Sequence, residues 1–221
     1  MSDPVSRLSQ MDTCAVSDAL DKLGLPPAVT GIVRLSTDRR IAGRVLTVKL
    51  DKAEGRPPSK RHLCTAAIEA ASEGDVIVVE QRTGLDAASW GGTLSLGAQL
   101  NGVAGVIVEG PARDIDESRE LGFPVFARSH TAHTARGRVV EVASGEPIQV
   151  GDVTVTPGDY VLADGTAVVF VPAGEIETVL EAAEFIVRKE KAMAEALRAG
   201  KPMSEVMGAN YETMLQKDTE E

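Results

Sequence analysis

An arginine and an aspartate stand side by side at 113 and 114, just after Gly110-Pro111-Ala112 and the β-branched run Val106-Ile107-Val108. The two side chains suit one chemistry. An Arg guanidinium grips a carboxylate through parallel N–H donors. An Asp carboxylate can hold Mg2+ or Mn2+, ions that keep several waters and need only one or two protein carboxylates. Together Arg113 and Asp114 are the minimum for binding a 2-oxo acid that chelates a cation. The pair also has a plainer reading, with Asp114 capping the turn that follows and Arg113 in solvent.

A second candidate lies upstream, at Gly91-Gly92-Thr93-Leu94. Two glycines let backbone approach a ligand closely. The helix pattern that starts there has unpaired first N–H groups carrying partial positive charge, which suits a carboxylate or phosphate. A tight loop-to-helix junction with glycine for sterics explains the same residues. The spacing matches neither GxGxxG nor a Walker A loop, so nucleotide binding has no specific support. His130 and His133 could form a metal pair at i, i+3, but their segment lacks helical periodicity and a third ligand nearby. His62 opens a helix pattern beside Lys60 and Arg61, a basic cluster able to attract an acidic substrate. Cys14 and Cys64 show no CxxC and no zinc spacing, and both read as reduced core cysteines.

The elements that must position these residues follow from apolar period and punctuation. Val5–Leu23 reads as one helix stopped by Gly24 and two prolines. Arg40–Leu50 reads as a strand, 51–60 as a loop and Arg61–Ser72 as a helix. Asp75–Glu80 is a continuous β-branched run, which means a strand buried on both faces, as in a parallel or mixed sheet covered by helices. The loop 81–89, the helix Thr93–Asn101 and the strand Val103–Val108, broken by Gly110-Pro111, come next, then a short helix Asp116–Leu121 and a strand Pro124–Ala127. Ligands in such sheets sit beyond the carboxyl ends of strands. The loops 81–92 and 109–114 occupy such ends and bracket the Thr93 helix. From Gly137 short strands separated by Gly, Pro and Asp turns predict antiparallel β packed onto the α/β part. Glu175–Leu197 reads as a long amphipathic helix, with a packing or an oligomer contact as its role. Ser204–Leu215 reads as a short helix with Ser204 as N-cap, and 216–221 as a frayed tail.

The chain has 221 residues, enough to bury a core without disulfides or zinc. Its net charge of −10 repels phosphate backbones, so nucleic acid is not expected as a partner. The sequence contains no signal peptide pattern and no apolar run of membrane-spanning length, so a cytoplasmic protein without membrane partners is expected.

Six ordered stretches, MDTCAVSDALDKLG, IAGRVLTVK, EGDVIVVE, WGGTLSLGAQLNGVAGVIVEGPARD, ELGFPVFAR and PGDYVLADGTAVVFVP, resemble the family of RraA-like proteins and 4-hydroxy-4-methyl-2-oxoglutarate aldolases. The resemblance runs from Met11 to Pro172. It implies a layered α/β/β domain with a mixed sheet over residues 1–172 and a helical C-terminal extension over 173–221. The assembly it implies is a homotrimer or a hexamer, with the site at a subunit interface. The activity it implies is that of a Mg2+- or Mn2+-dependent lyase, cleaving a 4-hydroxy-2-oxo acid to pyruvate and decarboxylating oxaloacetate as a side reaction. Asp114 would be the metal ligand, Arg113 would contact the keto or carboxylate oxygens, and N–H groups from Gly91, Gly92, Thr93 and Leu94 would hold the pyruvyl carboxylate. The family also holds a non-catalytic binder of ribonuclease E, so a regulator is the alternative, as is a related decarboxylase or hydratase acting on an aromatic-degradation intermediate. One departure stands out. Family aldolases generally carry an acid twenty-one residues before the Arg, and Gly92 occupies that place in this chain. Asp86, Asp116, Glu117 or an acid from a neighbouring subunit could take over.

Overall fold

The computed structural model describes residues 3–57, 59 and 61–208. Two helices open the chain, α1 (Pro4–Leu8) and α2 (Thr13–Leu23). The single helix expected over Val5–Leu23 is broken because Asp12 accepts a hydrogen bond from Ala15 N at 2.9 Å and so starts a new helix. Gly24 ends α2 in the left-handed region, at φ 65°, as its position predicts.

The strands β1 (Val33–Arg34), β2 (Ile41–Lys52), β3 (Val76–Gln81), β4 (Gly105–Ala112) and β5 (Val125–His130) alternate with α3 (Thr65–Ala70), α4 (Gly92–Leu100) and α5 (Ile115–Glu120). β2, β3, β4 and β5 pair in parallel in that order, and β1 closes the far edge antiparallel to β5. All six residues of β3 are buried, as the unbroken apolar run requires. Ile77 and Val79 enter one cluster with Trp90, Leu94, Ala98 and Phe123, while Val76 and Val78 enter another on the opposite face. Strand alternation thus divides one apolar run between two cores.

The remaining strands are β6 (Val139–Ser144), β7 (Ile148–Val150), β8 (Val153–Val155), β9 (Tyr160–Ala163) and β10 (Val168–Val171). Only the β7–β8 hairpin packs onto the sheet as a separate layer, through Ile148, Val150, Val153 and Val155. β6 and β9 instead pair with β2, and β10 pairs with β9, so these three extend the same eight-stranded sheet. The cause is the length of β2. Its twelve residues leave one edge unpaired by β3, and backbone donors there need partners. β9 takes Ile41–Arg44 and β6 takes Val48–Lys52, both antiparallel.

A long helix, α6 (Ile176–Arg198), lies with α2 over the β9–β10 end, burying Val16, Leu20, Val179, Leu180 and Ala183. The result is an α/β fold: a curled mixed sheet with helices on one face, a β-hairpin on the other and a helical C-terminal extension. A four-residue helix, α7 (Met203–Val206), follows with Pro202 at its N-cap, so Ser204 lies inside the helix and not at its start. The expectations for 209–221 fall outside the described residues. No helix among the described residues is long and apolar enough to cross a membrane.

Candidate active site

The site forms where β4 ends and α4 begins. Gly110-Pro111 does not break β4, contrary to the expectation from sequence. The register shifts between Val108 and Pro111, after which Pro111 and Ala112 pair with Ser129 and His130. Proline is tolerated at such an irregularity because no donor is needed there. The loop before α4 runs beside this segment, with Ser89 N donating to Pro111 O at 2.8 Å and Arg113 N donating to Trp90 O at 2.9 Å. Two stretches of the chain separated by twenty residues are thereby bound backbone to backbone.

Asp114 follows with φ 55° and ψ 44°, a left-handed conformation that costs a non-glycine residue about 1 kcal/mol or more. The twist turns its carboxylate away from its own helix. Asp114 stands at the N-cap of α5 yet makes no side-chain cap there. Its Oδ2 instead accepts from Gly92 N at 3.1 Å and from Arg113 Nε at 3.1 Å. The plain capping reading is therefore corrected in its target: Asp114 caps α4, not α5. Both bonds fall on Oδ2, so Oδ1 is free of protein donors among the described residues. The first-turn N–H groups of Thr93 and Leu94 have no carbonyl one turn back to bond to.

The two glycines are where they are for space. Gly91 is extended, at φ −153°, and a Cβ there would stand 2.7 Å from Asp114 Oδ2 and 3.3 Å from Arg113 Cγ. A Cβ at Gly92 would collide with the Glu117 carboxylate.

A buried chain of hydroxyls holds the two helix starts together. Trp90 Nε1 donates to Ser95 Oγ at 2.9 Å, Ser95 Oγ meets Ser118 Oγ at 2.9 Å, and Ser118 Oγ donates to Asp114 O at 3.2 Å. Trp90 stacks on Phe123 with ring centroids 6.3 Å apart. Sequence reasoning missed Trp90, Ser95 and Ser118. Their only signal is a serine on each of two short helices at a place where the fold buries it completely.

Gly91, Thr93, Leu94, Arg113 and Asp114 line a hollow of about 150 Å3, with His62 and Arg136 on its other wall. Gly92 is not part of the lining, and its N–H, expected to hold a substrate carboxylate, is donated to Asp114 Oδ2 instead. His62 and Arg136 also border an adjoining hollow of about 1000 Å3, whose lining includes Lys52, Arg56, Arg61 and Arg138. Basic side chains outnumber the acids Glu54 and Glu141 in this lining, with Arg56 paired to Asp51 and Arg61 to Glu69, and Lys60 itself lies outside the described residues. His62 precedes α3 instead of opening it, because Cys64 turns left-handed at φ 66° and delays the helix to Thr65.

His133 Nδ1 meets Asp86 Oδ2 at 2.9 Å, and His130 ends β5. No group of three or more His, Cys, Asp or Glu able to hold a metal occurs among the described residues. Cys64 is buried, and burial, with Glu141 nearby, pushes its thiol well above the usual range. Cys14 departs from expectation: it is exposed on α2. Of the acids that could stand in for the one absent at Gly92, Asp86 is engaged by His133 and Asp116 by Arg119, while Glu117 lies against Gly92.

The sequence profile of the family described as RraA-like, Aldolase/RraA, matches residues 13–170. A protein of Halalkalibacterium halodurans named as a candidate 4-hydroxy-4-methyl-2-oxoglutarate aldolase is 31% identical over 182 residues, covering 82% of each chain. Protein DlpA of Legionella pneumophila is 25% identical over 205 residues, and the chain spans only 33% of that relative's length. The crystal structure of Streptomyces coelicolor RraAS2, described as an unusual member of the RNase ES inhibitor RraA protein family, superposes with a TM-score of 0.76 at 25% identity, covering 86% of this chain and 95% of that one.

Proposed function

The chain belongs to the RraA-like family, and from that premise we propose that it is a divalent-metal-dependent lyase cleaving a carbon–carbon bond of a 4-hydroxy-2-oxo acid to release pyruvate. The observation that carries this reading is the meeting of Arg113 and Asp114 with the start of α4, where Asp114 accepts from Gly92 N and both side chains line one hollow with Gly91, Thr93 and Leu94. The name of the Halalkalibacterium relative agrees with it.

The donor set fits Mg2+ or Mn2+. Asp114 offers an oxygen without a protein donor, and a water-rich ion needs few protein ligands, whereas a four-ligand zinc cage lacks its residues among those described. When bound at Asp114, the cation supplies Lewis-acid polarisation of the 2-oxo carbonyl. The chain's own residues do the rest. The N–H groups of Thr93 and Leu94 hold the substrate carboxylate at the positive end of α4. Arg113 orients the keto oxygen and stabilises the negative charge that collects there when the C3–C4 bond breaks: the 4-hydroxyl gives its proton to a water in the hollow as C4 becomes a carbonyl, the bonding pair stays with C3, and a proton returned from water to C3 completes pyruvate. Asp114 fixes the Arg113 Nε edge, leaving the guanidinium nitrogens Nη1 and Nη2 for substrate. Leu63 and Leu94 keep bulk water from the reacting carbons. The distal part of the substrate extends toward the basic hollow beyond His62 and Arg136. Oxaloacetate decarboxylation leaves the same charge on the same atoms and is the expected side activity.

The reading includes a cytoplasmic homo-oligomer, a trimer or hexamer, with 173–221 as an appended helical unit in the assembly. Light scattering would measure it, and a monomer would count against a site shared between subunits. The test of the chemistry is pyruvate release from a panel of 4-hydroxy-2-oxo acids and oxaloacetate with Mg2+ or Mn2+. Wild type is expected to release pyruvate, and Asp114→Ala to lose more than about a hundredfold in kcat/KM, beyond what loss of a merely supporting group costs. Activity that survives the substitution would remove Asp114 from the site. The likeness to RraAS2 favours a second reading, a regulator that binds a ribonuclease without catalysis. A stable ribonuclease partner in a pull-down, with no pyruvate from any substrate, would establish it instead.

A further inference from the structure

Ser89 stands just before Trp90 in the loop that leads into α4. Its backbone is engaged at both ends. Ser89 N donates to Pro111 O at 2.8 Å, and the Cys64 thiol donates to Ser89 O at 3.7 Å. Its side chain is not. Ser89 has no exposed surface, and its Oγ is the one buried side-chain nitrogen or oxygen among the described residues with no hydrogen-bond partner within the chain. Buried polar side chains are paired in the large majority of cases, and one that is not weakens the fold. The adjacent Ala87 and Ala88 are buried with methyl groups alone, so the packing of this loop does not call for a hydroxyl.

Three further observations give that hydroxyl a use. First, Ser89 lines the same hollow as Thr93, Leu94, Arg113 and Asp114. Second, the bonds to Pro111 and Cys64, with Ala88 N donating to His133 O at 2.9 Å, fix the backbone at 89 against the end of β4. A serine side chain has three staggered positions about one bond, so its Oγ can change direction while that backbone stays still. Third, a carboxylate has about four acceptor sites. The first-turn N–H groups of Thr93 and Leu94 leave some of these open on an acid held at the start of α4, and a hydroxyl can donate to one.

We propose that Ser89 is a substrate-binding residue of this site, whose hydroxyl turns into the hollow and donates to a carboxylate oxygen of the bound 2-oxo acid. The inference rests on the lyase reading above and adds a ligand contact to it. It also accounts for the unmade bond. The hydroxyl weakens the chain alone and finds its partner on binding, which is a trade of stability for function. That trade separates Ser89 from a merely structural serine, whose removal costs stability and leaves binding unchanged.

The test pairs a thermal melt of the full chain alone with calorimetric titration of pyruvate into the chain in excess Mn2+. Ser89→Ala removes the unpaired oxygen and is expected to raise Tm by about 2–4 °C. The same variant is expected to bind pyruvate about tenfold more weakly, the loss of one hydrogen bond to a charged acceptor. Ser89→Cys keeps a weak donor of similar shape and is expected to fall between the two in affinity. A lower Tm in Ser89→Ala would show the hydroxyl already paired in the chain alone and would overturn the proposal. Wild-type pyruvate affinity in Ser89→Ala, beside a loss in Asp114→Asn, would overturn the role of Ser89 and leave the lyase reading intact. Wild-type protein that binds no pyruvate, or Asp114→Asn that binds it as well as wild type, would overturn the lyase reading and this inference with it.

Discussion

Asp114 carries two demands that pull against each other. Its backbone is left-handed, which favours glycine, and its side chain must be a carboxylate to accept from Gly92 N and Arg113 Nε. Strain of this kind persists where the surroundings over-determine it. The two demands can be separated by substitution. Asp114→Ala keeps the torsion and loses the hydrogen bonds, while Asp114→Gly loses the hydrogen bonds and relieves the torsion. Asp114→Gly is therefore expected to be about 1 kcal/mol more stable than Asp114→Ala by denaturant titration, with both equally inactive. Equal stability would mean that the left-handed turn is absent in solution. The sequence makes the pair at 113–114 and the glycines at 91–92 visible as candidates. It does not contain the torsion at 114, which is imposed by backbone bonds from Trp90 and Ser89 across twenty residues. The choice among Asp86, Asp116 and Glu117 was likewise hidden, because it depends on which partner each finds in space.

The elements behave similarly: their interiors are local, and their ends and partners are not. β3 and the bodies of α2, α4 and α6 follow from apolar period alone. The start of α2 needs more: the local Asp12 cap that breaks it from α1 is joined there by bonds from Thr13 to a distant turn. Asp164, between β9 and β10, accepts from Thr13 N at 2.9 Å, Thr13 Oγ1 at 2.8 Å and Thr166 N at 2.8 Å. Burial alone would raise its carboxyl, but these donors, with Ala167 N, hold it below the ordinary range. A carboxyl lowered in the folded state contributes stability that is present above its unfolded value, about pH 4, and lost as pH falls through the lower folded value. Asp164→Asn is thus expected to be about 1–2 kcal/mol less stable than wild type at pH 7. The gap should narrow as pH drops below about 4, measured by urea unfolding at each pH. A gap independent of pH would mean that the charge at 164 contributes nothing to holding α2 on the sheet.

At the scale of the molecule, the layered plan is legible because a continuous apolar strand can only be one buried on both faces. Which edge each later strand joins is not legible, since β6, β7 and β9 look alike in composition, and only the overhang of β2 separates them. That architecture has a consequence for the site. β2, β3 and β4 are locked in register at the core, and the site hangs from the end of β4 and the start of α4, at the rim of the buried cluster to which Leu63, Trp90 and Leu94 belong. A cation bound there would stabilise the native chain by mass action, since the unfolded chain separates Asp114 from the start of α4. At a hundred times Kd the gain is about 2.7 kcal/mol. A chain of this size shifts its Tm by about 2–4 °C per kcal/mol, so saturating Mn2+ is expected to raise Tm by about 5–10 °C. The rise should vanish in Asp114→Asn, with Ca2+ at equal concentration as the control for ionic strength. An equal rise in both proteins would place the cation on the acidic surface at large, where a net charge of −10 binds ions without a site. A rise confined to chains that keep Asp114 would tie the ion to the end of β4.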